Sequence, residues 1–375
     1  MSVRKRILAN GETRWQVDYR DGAGTRRHHQ FATKREADAF HARARTEVVD
    51  GTHTPDGASI TVNEAAGLWL AGARRKGLEQ GTVLYYREHV ELHIAPFVGA
   101  VKLSKLTLPA LSHFHDALLD AGRSPDMVRR VLTSLSGIIT TAQRRGLVAV
   151  NHVPEVERTR RKRGDRRPVM PARDELKAIL SAADELRDRI PILLALLAGL
   201  RGSEIRGLIW PNVDLKAGII HVRQRADRWG HIGAPKSEAG TRDIPVGAMV
   251  LNALKAWRLR CPPNPLDLVF PADDGTVEQH NNLLRHVFWP VQIKAGVTFW
   301  QDEKVVAKYG LHALRHACAA LWIAQKFNAK RIQVLMGHAS IQETYDTYGY
   351  LFDADQEDER NEFDLLTTRL APDLK

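Results

Sequence analysis

Eleven consecutive residues, Glu157 to Arg167, hold seven arginines and lysines and not one apolar side chain. No hydrophobic core can run through such a stretch, because burying unpaired charge costs more than packing returns. The chain must therefore fold as separate bodies on either side of it. At 375 residues it is long enough for two or three domains. By itself the run is a solvated linker. A linker between two lobes that grip a polyanion would also lie along it and gain from counterion release. Arg158, Arg160, Arg161, Lys162 and Arg163 are therefore candidate phosphate contacts.

The overall charge agrees. Lys and Arg number 55 against 44 for Asp and Glu, a net charge of +11 and a pI near 9.7. That balance favours polyanions, of which nucleic acid is the commonest in solution. No basic amphipathic anchor competes for a membrane. The longest apolar run, Ile192 to Leu200, is about half of a membrane span, and Met1 to Arg6 opens no signal core. Cys261 and Cys318 are the only cysteines, too few for a disulfide framework or a cysteine zinc site, and a reduced, cytoplasmic setting is expected.

Upstream of the basic run, Trp15 to Tyr19 alternates as a strand, Asp21-Gly22-Ala23-Gly24 is turn chemistry, and Arg26 to Phe31 reads as a second strand. Thr33 and Glu36 have capping-box spacing and open a helix to about Val49. A small sheet backed by a helix, residues 1–55, could serve protein interaction; Arg26 and Arg27 on the sheet favour DNA. Gly51 to Ser59 is a linker. Thr61 and Glu64 repeat the capping box, and four helical stretches follow to about Arg145, so residues 60–155 are expected to be a helical domain. Residues 168–352 read as mostly helical with a strand-rich insertion, Gly218 to Val246. The tail, 353–375, is acidic and then carries Phe363, Leu365, Leu366 and Leu370, a helix that could dock on its own or a neighbouring subunit. The whole is expected to be multidomain, mainly α with small β elements.

Three short segments of the downstream part carry chemistry. In Gly199-Leu200-Arg201-Gly202-Ser203-Glu204 a helix ends and another begins, with Ser203 a reasonable N-cap, so Arg201 sits in a turn where backbone can approach a ligand. An arginine there could equally satisfy helix-terminal carbonyls. In Leu311-His312-Ala313-Leu314-Arg315-His316, His312 and Arg315 share a helix face beside an apolar stripe. His312 and His316 at i, i+4 raise the question of a metal, yet no Glu or Cys completes a ligand set. Gly337-His338 is followed by Tyr345, Tyr348 and Tyr350. A phenol of pKa about 10 needs about 4 kcal/mol to ionise at pH 7, and nearby guanidiniums lower that requirement.

A fourth segment, Ile232 to Pro245, alternates on both flanks. Glu238-Ala239-Gly240 reads as a hairpin tip, so Lys236 would project from a β-hairpin with Arg223, Arg225, Arg228 and Arg242 nearby for backbone phosphates. Gly233-x-x-Lys236-Ser237 is no nucleotide loop, since Pro235 stands where that motif needs glycine. No carboxylate trio for two metal ions is visible.

In order and setting these motifs resemble the tyrosine recombinases, the phage-integrase family, over nearly the whole chain. The resemblance implies an arm-type DNA-binding domain, a helical core-binding domain and a mixed, mostly α catalytic domain. It makes Arg201 and Arg315 the phosphate forks and His312 a proton-handling group. His338 becomes a donor to the phosphate, Lys236 the acid for the departing 5′ oxygen, and Glu204 a residue that orients the site. Tyr348, just before a glycine, becomes the nucleophile, with Tyr345 and then Tyr350 behind it. The pocket is expected to hold Tyr348 at its rim or to receive it from a neighbour. Site-specific recombination of double-stranded DNA at attachment or core sites would follow, by four subunits, without metal, ATP or other cofactor, and with bending or excision proteins as further partners. A type IB topoisomerase and a DNA-binding regulator without catalysis are the rivals.

Overall fold

The computed structural model describes residues 2–22, 24–51, 53–55, 59–157 and 167–352. The chain divides into two units, Met1–Arg160 and Arg161–Lys375. The basic residues 158–163 and the tail 353–375 lie outside the described residues.

Unit one begins with a strand the sequence did not announce, β1 (Ser2–Ile7), which pairs antiparallel with β2 (Thr13–Arg20), itself paired with β3 (Arg26–Phe31). Its polar composition hides it: five of six side chains are exposed. Helix α1 (Lys34–Val49) starts at Thr33, whose hydroxyl accepts from the Glu36 N–H while the Glu36 carboxylate accepts from the Thr33 N–H. Thr61 and Glu64 cap α2 (Val62–Arg75) in the same way. Then come α3 (Gln80–His89), a π-turn Val90–Ile94, α4 (Ala95–Val98), α5 (Leu108–Asp120) and α6 (Pro125–Gln143). Ser124 caps α6 and Pro125 occupies its first turn. Val131, Leu132, Leu135 and Ile138 of α6 are fully buried, each contributing roughly 1.5–3 kcal/mol.

Unit two is helical around α8. The helices α7 (Arg173–Ala182) and α8 (Leu186–Leu197) lead into the short α9 (Gly202–Arg206). Ile190 to Leu196 are buried as a continuous run, as expected of a helix covered on all sides. Five strands follow: β4 (Val213–Asp214), β5 (Ile219–Val222), β6 (Arg225–Ala226), β7 (Ile232–Gly233) and β8 (Arg242–Pro245). They form a three-stranded sheet β4-β5-β8 and a separate pair β6-β7. After α10 (Ala248–Arg258), α11 (His280–Asn282) runs through a π-turn, Leu283–Phe288, into α12 (Trp289–Lys294). A hairpin of β9 (Thr298–Gln301) and β10 (Lys304–Ala307) precedes α13 (Leu311–Ala324), α14 (Ala329–Met336) and α15 (Ile341–Phe352). The helix α13 packs against α8, α14 and α15. Among the described residues no helix is long and apolar enough to cross a membrane.

Candidate active site

Helix ends build the site. Gly199, at φ +62°, turns the chain after α8 and makes Arg201 the N-cap of α9. Ser203, the expected cap, lies inside α9. The Glu204 carboxylate takes the cap's role by accepting the Arg201 backbone N–H at 2.9 Å. The same carboxylate accepts from Arg201 Nη1 at 2.8 Å, and Arg201 Nη2 donates to the Gly337 carbonyl at 3.0 Å. At the end of α14, Gly337 has φ +63°, and a Cβ there would stand 2.8 Å from the Ala239 carbonyl oxygen. Glycine is thus required on two counts, and His338 enters the interior directly after it.

Arg315, on α13, is 2% exposed. It donates to the Gly199 carbonyl through Nη1 and to the Met336 carbonyl through Nη2. One guanidinium therefore ties the end of α8 to the end of α14. Burial first, then the charges of Arg201 and Arg242, pull it down to about 9, and it remains a cation at neutral pH. Of the apolar stripe Leu311, Leu314, Cys318 and Leu321, the first three are buried and Leu321 is half-buried.

Arg242 corrects the sequence reading. The sequence places it with the phosphate contacts, yet its side chain is buried on β8. Nη1 and Nη2 hold the two Glu204 oxygens at 2.9 and 2.8 Å, and Nε donates to the Leu335 carbonyl at 2.7 Å. A carboxylate buried at 3% exposure beside Arg201 draws in a second cation, and β8 supplies it. Burial alone would raise the Glu204 carboxyl, but the Arg242 hydrogen bonds and charge, with Arg315 and Arg201, hold it down to about 2.

Arg201, Arg242 and Arg315 against Glu204 leave two positive charges in excess, because the histidines are neutral. His338 is buried, its Nδ1 2.9 Å from Thr344 Oγ1, and desolvation followed by the arginine charges pushes it to about 3. Desolvation and Arg315 likewise hold exposed His312 below the usual histidine value.

Tyr348 is not at a rim. It is 1% exposed, and its hydroxyl lies 2.7 Å from Nδ1 of His316. Its ring runs nearly parallel to that of His338, centroids 6.4 Å apart. Burial raises its pKa well above the usual phenol, with Arg315 opposing. Tyr345 is 47% exposed and Tyr350 half-buried under the Arg167 guanidinium. In the sequence His316 stands out only as half of a metal pair; its place one residue after Arg315 carries no further signal.

Lys236 also departs from expectation. Glu238–Gly240 is a 3-10 turn, not a hairpin tip; the tip between β6 and β7 is at Asp227–Gly230. Since β7 pairs with β6 and β8 with β5, Lys236 lies on the exposed crossing between the two sheets. The carbonyl oxygen of Ala239, three residues on, lies 2.8 Å from where a Cβ on Gly337 would stand, so this crossing borders the site. Arg223 donates to the Arg242 carbonyl and the Asp243 carboxylate, and Arg225 is half-buried. In unit one Arg26 is exposed beside Asp18, and Arg27 donates from Nε to Asp21 at 2.9 Å.

A buried phenol beside clustered guanidiniums and neutral imidazoles is the arrangement that attack of a tyrosine on a phosphodiester would use. Residues 172–354 match the phage integrase family. The ICEBs1 integrase of Bacillus subtilis (strain 168) is 24% identical over 97% of this chain and 99% of its own length. The tyrosine recombinase XerC of Xylella fastidiosa (strain M23) is 27% identical over 72% of this chain and 86% of its own. In fold, the chain is similar to the Tn1549 transposon integrase, solved with a circular intermediate DNA (TM-score 0.63, 20% identity, 77% of this chain and 94% of that one). It is similar also to lambda integrase, solved as a tetramer on a Holliday junction (TM-score 0.60, 19% identity, 90% and 96%).

Proposed function

We propose that the chain cleaves and rejoins DNA with an integrase-like role, Tyr348 attacking the scissile phosphate. A 3′-phosphotyrosyl ester forms and a 5′-hydroxyl is freed; a 5′-hydroxyl from the partner duplex reverses the step, giving a Holliday junction and, after a second round, recombinants. The observation that carries this reading is the meeting of Arg201, Arg315, His338 and Tyr348 from separate segments around a net positive charge. Arg201 and Arg315 act as forks on the phosphodiester, each worth about 10²–10³-fold in rate. His312 and His338 contact the phosphate, Lys236 protonates the 5′ oxygen and Glu204 orients the arginines. The ester conserves the bond's free energy, so no ATP is consumed. Arg26, Arg27, Arg223, Arg225 and the run Arg158 to Arg163 meet backbone phosphates. Four subunits act on two duplexes in the cytoplasm, exchanging residues 353–375, with bending or excision proteins as partners.

The test is a library of randomised duplexes, each nicked near its centre so that cleavage releases a short fragment and traps the intermediate. Wild-type protein should carry DNA through denaturing electrophoresis, while Tyr348→Phe should not, though both retain duplex on native gels. Attachment lost instead in Tyr345→Phe would overturn the choice of nucleophile. Relaxation of supercoils by a monomer without joining of sites would favour the topoisomerase reading, and binding without attachment the regulator.

A further inference from the structure

A phenol that bonds to phosphorus must give up its proton, and some group must take it. Among the described residues, one side chain lies within hydrogen-bonding distance of the Tyr348 hydroxyl: His316, through Nδ1 at 2.7 Å. His312 makes no such contact; it stands one turn earlier on α13, its ring edge-on to that of His316 with centroids 4.6 Å apart. His338 lies beside the Tyr348 ring, but its Nδ1 is engaged with Thr344 Oγ1 and its Nε2 lies 3.9 Å from Glu343. We propose that His316, and not His312, accepts the phenolic proton as Tyr348 attacks. This assignment rests on the recombinase reading above.

The bonds balance without a further reactant. The Tyr348 Oη–P bond forms, the P–O5′ bond breaks, and its electron pair leaves on the 5′ oxygen, which takes a proton from Lys236. The phenol proton moves to His316 Nδ1 and makes an imidazolium. In the reverse step the incoming 5′-hydroxyl gives its proton to the Lys236 amine and bonds to phosphorus, the P–Oη bond breaks, and the imidazolium returns its proton to Oη. A base must be unprotonated when the substrate arrives. Burial, then His312 and Arg315, hold His316 down to about 4, so it is neutral at working pH. The groups facing it are His312 and Arg315 on α13, His338 after α14 and Tyr348 on α15. A phosphodiester anion offsets the Arg315 charge and strengthens the base, while bond formation to phosphorus acidifies the phenol. A transfer that is uphill in the resting site thus becomes favourable as the reaction proceeds.

Single-turnover attachment of the full chain to a duplex recovered from the nicked library, from pH 6 to 9, tests this. Wild type should give a flat profile. His316→Phe should attach on the order of 10²–10⁴-fold more slowly at pH 7, its residual rate climbing about tenfold per pH unit as hydroxide replaces the imidazole. His316→Gln keeps a hydrogen-bond acceptor but no base, and should behave like the Phe variant, with duplex retention unchanged in both. A Gln variant within tenfold of wild type would reduce His316 to orienting the phenol and overturn the proposal. A Phe variant as fast as or faster than wild type would overturn it too, the contact then being a restraint on the nucleophile. Should neither variant fold, the wild-type profile decides, a tenfold rise per unit counting against. Failure of wild type to attach to any duplex would overturn the recombinase reading, and this assignment with it.

Discussion

Replacing Glu204 with glutamine keeps the shape of a buried side chain and removes the one negative charge shared by Arg201 and Arg242. In the fold the carboxyl sits at about 2, against an unperturbed 4.5, so its ionisation favours the folded state by about 3 kcal/mol at neutral pH. A second route gives a similar figure: removing one partner of a buried ion pair typically costs about 3–5 kcal/mol. The folded value lies below the unfolded one, so this stability is complete above pH 4.5 and is lost as pH falls toward 2; about half remains at pH 3. Urea unfolding followed by tryptophan fluorescence suits the test, because six of eight tryptophans lie in unit two. Glu204→Gln should be about 3 kcal/mol less stable than wild type at pH 7, and the gap should narrow by about half at pH 3. A gap under about 1 kcal/mol at pH 7, or one that acid leaves unchanged, would refute the reasoning about the buried pair.

Gly337→Ala should lose at least about 1–3 kcal/mol of stability, read as a lower melting temperature, since the new Cβ meets both a positive φ and the Ala239 carbonyl. Arg242→Lys should destabilise unit two yet leave the salt dependence of duplex binding unchanged, because the guanidinium is buried on Glu204. Arg26→Ala should do the reverse: the log–log salt slope falls by about 0.9 while stability shifts by no more than about 0.5 kcal/mol. Lys236→Ala should slow cleavage of an ordinary duplex and be rescued by a sulfur in place of the scissile 5′ oxygen, which departs without a proton; equal slowing on both substrates would remove Lys236 from that role.

The fold class was legible because its signals are local. Thr33 with Glu36 and Thr61 with Glu64 cap helices through contacts three residues apart, and the apolar stripe of α13 follows from its own periodicity. What escaped were features whose cause lies far away in sequence. Arg242 looks like any strand arginine until the fold sets it on Glu204, and nothing near His316 announces a phenol on another helix. The hairpin β9-β10 went unread because Asp302 and Glu303 take positive φ values that its sequence, lacking Asn-Gly, does not advertise. Tyr348 could be singled out from Tyr345 and Tyr350 only through the resemblance; its burial was invisible.

Arg315 spends two of its N–H groups on the carbonyls of Gly199 and Met336. The same cation therefore clasps the scaffold whatever part it takes in the proposed reaction, so selection for stability alone would preserve it. A descendant that abandoned recombination would keep this arginine long after losing its exposed lysine, and retention of Arg315 in a relative says little about whether that relative still cuts DNA.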